Sequence, residues 1–95
     1  MELLWQRPRR KTLVDWPEDV DGRLDVLVRA AAAAGEQTSR SQVLAALVTA
    51  AEAHPSAIAE LLHSYRRMPA DALETDKTRD DLPSVRSPGR TRARR

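Results

Sequence analysis

Two clusters of cations carry the clearest chemistry in this chain. Residues 1–11 hold Arg7, Arg9, Arg10 and Lys11 against Glu2, a net +3, and residues 86–95 hold Arg86, Arg90, Arg92, Arg94 and Arg95 with no acid, a net +5. Residues 12–85 carry seven basic and thirteen acidic side chains, a net −6, so the formal +2 of the 95-residue chain hides two basic ends around an acidic body. Cations at this density bind anionic oxygens, and polyanions best of all. Nucleic acid is favoured over a membrane surface because no apolar anchor accompanies either cluster. A third candidate is Ser39-Arg40-Ser41, two hydroxyls beside a guanidinium where a helix is expected to begin. That arrangement suits a phosphate oxygen, and Ser39 equally suits plain capping.

Other chemistries find little support. Cysteine is absent, which removes disulfides, thiolate metal sites and a thiol nucleophile. His54 and His63 stand nine residues apart across Pro55 with no carboxylate at ligand spacing, so they read as a helix-end and a solvated residue and no metal is expected. Nothing has the form of a nucleophile elbow or a phosphate-cradling Gly-rich loop, so no catalytic residue, cofactor or enzymatic activity is expected. The apolar run in "MELLWQRPRRK" is too short for a secretory core and no later stretch spans a bilayer, which makes a cytoplasmic, nucleoid-associated protein the default. Fourteen Arg against two Lys, with abundant Ala, suggests a G+C-rich, bacterial genome.

The elements that must position these groups follow from periodicity. From Lys11 to Trp16 the side chains alternate on a period of two, with Thr12, Val14 and Trp16 on one face and Lys11, Leu13 and Asp15 on the other, which predicts a short strand ended by Pro17. Val20, Leu24, Leu27, Val28 and Ala31 then recur at helical spacing, with Pro17, Glu18 and Asp19 in a first turn and Gly35 as C-terminal cap. Ser39 followed three residues later by Gln42 has the form of a capping box, opening a second helix with Val43, Leu44, Leu47, Val48 and Ala51 in its stripe and an end near His54. Pro55 fits the first position of a third helix striped by Ile58, Leu61, Leu62 and Tyr65 and stopped at Pro69. From Pro69 onward periodicity is lost and Pro, Ser, Asp and Arg accumulate, which predicts a mostly disordered tail with room for a short turn at Asp71 to Glu74.

One strand followed by helices has no second strand to satisfy its N–H and C=O groups. A chain with no Phe, one Tyr and two Trp is also short of bulk for a core of its own. Both shortages are met by a second copy whose strand pairs antiparallel across a two-fold axis.

Strand, helix, Gly-containing turn and helix in this order resemble the ribbon-helix-helix (Arc/MetJ-like) family of dimeric DNA-binding proteins. The resemblance covers roughly residues 10–51 and is carried by "LVDWPEDV", where a Trp-Pro pair closes the strand, and by "G..TSRSQVLAAL" at the second-helix start. It implies a mostly α fold organised as a basic arm at 1–9, a ribbon-helix-helix domain at 10–53, an added helix at 54–68 and a tail at 69–95. The family lays its two-stranded ribbon in the major groove, which implies that Lys11, Leu13 and Asp15 face base edges. Lys11 would donate to guanine, Leu13 touch a thymine methyl and Asp15 accept from cytosine's amino group. Thr12, Val14 and Trp16 would join Leu24, Leu27, Val43 and Leu47 in the dimer core. Arg9, Arg10, Ser39, Arg40 and Ser41 would contact phosphates, with Arg86, Arg90, Arg92, Arg94 and Arg95 adding non-specific contacts. The expected function is a homodimeric repressor, or a plasmid or mobile-element regulator, on double-stranded DNA. The alternatives are an antitoxin-like or adaptor dimer that takes a partner protein through residues 69–95, and a sequence-independent nucleic-acid binder.

Overall fold

The structure is a computed structural model that describes residues 1–84. Helix α1 spans Glu18–Ala33, α2 Arg40–Ala50 and α3 Pro55–Arg66, with single 3₁₀ turns at Leu4–Gln6 and Glu74–Thr78. Each of the three helices begins and ends on a local signal. α1 starts directly after Pro17, with Glu18, Asp19 and Asp21 in its first turn beside the positive end of the helix dipole. It ends through Gly35, whose φ of +86° lies in the region glycine alone enters without strain. The Glu36 amide then donates to the Ala31 carbonyl at 3.0 Å and the Gly35 amide to Ala32 at 3.0 Å, the paired bonds of a Schellman cap. At α2 the Ser39 hydroxyl accepts from the Gln42 amide at 3.2 Å. The Gln42 carboxamide oxygen accepts from the Thr38 hydroxyl at 2.8 Å instead of reaching back to Ser39. α2 stops at Ala50, one turn before the expected His54, because Pro55 holds His54 extended and fixes the start of α3.

The core is centred on α1 and is small. Leu24, Val26 and Val28 are the buried residues, all apolar, among those described. α2 packs on one side of α1 and the 3₁₀ turn at Glu74–Thr78 on the other, while α3 packs against no other described element.

Two expectations are corrected. The described residues contain no β-strand, so the two-stranded ribbon is absent and the architecture is helical throughout. The physical reason is the one that made the strand incomplete in sequence: residues 11–16 find no second segment to complete a ladder, and they run without regular structure. Thr12 and Val14 are accordingly exposed, and Trp16 is half-buried at the start of α1, its indole N–H donating to Asp21 Oδ1 at 3.1 Å. The second correction concerns the tail. Residues 74–83 are not a disordered extension but an ordered segment strapped along α1 by ion pairs and carbonyl contacts. Arg86, Arg90, Arg92, Arg94 and Arg95 lie outside the described residues.

Candidate nucleic-acid interface

Several cations of the helical body, Arg23, Arg40, Lys77 and Arg79, are paired with acids of the same chain. Gly35 reverses the chain so that Arg40, the first residue of α2, meets Asp21 and Asp25, one helical turn apart on α1. One Arg40 nitrogen bonds Asp21 Oδ1 at 2.6 Å, and the other bonds Asp25 Oδ1 and approaches the Asp21 carbonyl at 3.4 Å. Burial acts on the guanidinium first and lowers its pKa, but the hydrogen bonds and charges of Asp25 and Asp21 outweigh it and hold the group above the ordinary arginine value. Arg40 is thus engaged as an α1–α2 clasp, and its charge is no longer available to the expected phosphate clamp at Ser39, Arg40 and Ser41. Ser39 caps the helix, and Ser41 is exposed beside it.

On the opposite side of α1, Arg23 grips Asp76 at 3.0 and 3.1 Å. The Asp76 side chain retains 9% of its exposure and also faces Arg79 at 3.7 Å. Arg29 donates to the carbonyls of Pro83 and Leu82, each at 2.9 Å, and of Arg79 at 3.3 Å. Lys77 bridges Asp19 at 3.6 Å and Glu74 at 3.4 Å. Arg79 forks onto Asp81 at 2.9 and 2.7 Å, and this hydrogen-bonded guanidinium holds the Asp81 carboxyl down at about 2.

The N-terminal arm is arranged differently. Arg7 lies 3.8 Å from Glu2 at the surface, and Arg9 donates to the Trp5 carbonyl at 3.2 Å, a contact that leaves its charge uncompensated. Among the described residues, Arg10, Lys11, Arg66 and Arg67 make no ion pair. Arg9, Arg10 and Lys11 are exposed, as are Leu13, at 101%, and Asp15. The base-reading trio Lys11, Leu13 and Asp15 is therefore accessible, but no sheet aims its side chains along one direction. Of the expected dimer core, Leu24 is buried inside this chain, Leu27 and Val43 are half-buried, and Val14 and Leu47 remain about half exposed.

Sequence reasoning missed the α1 side of the charge network. The signal for Arg23, Arg29 and Asp76 was present as two basic residues that bound an arc of about 120° on α1, and as the dense charges of "ETDKTRDD". Val26 lies within that arc and is buried at 5%, deeper than the expected Leu27. The two histidines stay apart. His54 Nδ1 meets the Ser56 hydroxyl at 2.9 Å and His63 lies in the last turn of α3, and the described residues gather no cluster of metal-ligating side chains. No described helix is long and apolar enough to cross a membrane. Comparison of the chain with protein-family models, with characterised proteins and with solved structures finds no match.

Proposed function

We propose that this chain is a DNA-binding protein whose contact with the duplex runs through the phosphates and is made by the N-terminal arm, Arg7 to Lys11. One observation supports this reading above the others. Arg23, Arg40, Lys77 and Arg79 have acids of the same chain as partners, whereas the arm presents Arg9, Arg10 and Lys11 to solvent as three consecutive cations with no described ion pair, the longest such run among the described residues beside Arg66 and Arg67 at the end of α3. A charge already neutralised within the fold releases no counterions on meeting DNA; an uncompensated one does. The arm is separated by sequence from the net −6 body, which repels phosphates and confines the contact to the ends. The net +5 of residues 86–95 adds to the same electrostatic contact.

Phosphate contact is favoured over base readout because nothing in the fold orients Lys11, Leu13 and Asp15 together. Side chains specify sequence only when a rigid element holds them against base edges. A regulatory role such as repression would then draw its choice of site from elsewhere. Fluorescence anisotropy of two unrelated labelled duplexes, titrated at low and at physiological salt, tests the proposal. Comparable affinities for both duplexes, falling together as salt rises, are expected. Absence of binding to either duplex at low salt contradicts DNA binding, and a preference of about a thousandfold or more for one duplex restores base readout.

A further inference from the structure

We propose that the apolar face of α3 is the seat of a second copy of this chain, α3 packed antiparallel against α3 about a two-fold axis. Ile58, Leu61, Leu62 and Tyr65 recur at the i, i+3, i+4, i+7 spacing of one helix face, and Met68 continues it just past the helix end. Their exposures are 38, 62, 43, 49 and 53%, and no other described element packs on the helix that carries them. A 12-residue helix is marginal in water without a covering surface, so a partner is part of what makes α3 a helix.

Three features select a second copy as the occupant. The exposed parts of these five side chains amount to about 500 Å² per copy, so a self-pairing covers about 1,000 Å², where specific interfaces begin. No charged side chain lies within the stripe, so setting it against itself brings no like charges together. Finally, a core of only Leu24, Val26 and Val28 is thin for the chain, and every folding molecule therefore shares the need for more burial at the same moment, which its own copies meet at equal concentration. The chain's own apolar N-terminus, Leu3, Leu4 and Trp5, is the competing occupant, and it stands exposed away from any element contact with α3.

The absence of cysteine makes the surface addressable by single thiols. Leu61→Cys and Leu62→Cys place a thiol inside the proposed interface. His63→Cys places it about 150° round the helix from the middle of the stripe, where two copies would hold their thiols on the order of 20 Å apart. Each full-length variant, free of nucleic acid and at low micromolar concentration, is treated with a short bismaleimide, and untreated wild-type protein is weighed by light scattering. A mass of twice the 10.6 kDa chain, with Leu61→Cys and Leu62→Cys cross-linked at least tenfold more than His63→Cys, is the expected result. A monomeric mass overturns the proposal, and so does a dimer in which the three thiols cross-link alike, since that dimer forms through another surface. Neither result bears on DNA binding, which is read separately.

Discussion

Arg40 faces one of two ways at the second-helix start, and its surroundings decide which. As a phosphate clamp it would point outward beside Ser39 and Ser41; in the fold it spans Asp21 and Asp25, with the Trp16 indole donating to the same Asp21 oxygen that its guanidinium holds. Arg40→Ala therefore leaves two carboxylates one turn apart on α1 without their shared cation. All three side chains keep part of their exposure, so solvent screening limits the destabilisation to about 1 kcal/mol. For a domain of this size that lowers the thermal midpoint by about 4–8 °C. Duplex affinity is expected to stay unchanged in the same variant at a temperature where it is folded. Thermal unfolding followed by circular dichroism, paired with one anisotropy titration, checks both halves. A variant of wild-type stability with weakened DNA binding would return Arg40 to the phosphate.

Among the elements, the three helices were legible because their boundaries are set locally. Gly35, Ser39 and Pro55 each act within a few residues and end α1, cap α2 and open α3 as their positions predict, while Pro17 stands just ahead of α1 and Gln42 turns to Thr38 so that the expected capping box is only half formed. Two elements were not legible. Alternation from Lys11 to Trp16 predicts a strand only if a neighbour exists to pair with it, and alternation carries no information about the neighbour. The order of residues 74–83 was hidden for the opposite reason: its anchors are ion pairs and carbonyl contacts to residues more than fifty positions earlier, from Arg23 to Asp76 and from Arg29 to Pro83, and such anchors impose no period. Low periodicity and high charge read as disorder when the complementary charges lie elsewhere in the chain. The charged arm was legible from composition alone, while the engagement of Arg40 was not, since a helix-start arginine has the same sequence whether it faces phosphate or carboxylate.

The strap gives a prediction at this scale. Arg29 supplies three donors to the carbonyls of Arg79, Leu82 and Pro83 near the end of the segment, and nothing else described holds those carbonyls. Arg29→Ala should release that end while α1, capped through Gly35, persists. Brief trypsin digestion of the variant is expected to cut after Lys77 and Arg79 several times faster than in the wild type, with helicity almost unchanged. Equal cleavage rates would mean that the Arg23–Asp76 and Lys77–Asp19 pairs hold the segment without Arg29.

At the scale of the whole molecule, charge is sorted into an acidic body that pairs most of its own cations and an arm that leaves Arg9, Arg10 and Lys11 without an ion pair among the described residues. Acids of the body take up Arg23, Arg40, Lys77 and Arg79, and the surplus of negative charge that remains turns a polyanion away from α1 and toward the ends. The most direct test is the salt dependence of duplex affinity for wild-type protein beside the Arg9→Ala, Arg10→Ala, Lys11→Ala triple variant. If the arm neutralises the phosphates, the slope of log affinity against log salt flattens by about 0.9 for each cation removed, a change of about three across the variant, with no change in thermal midpoint. A slope equal to the wild type's, at undiminished affinity, would contradict the assignment of DNA binding to the N-terminal arm.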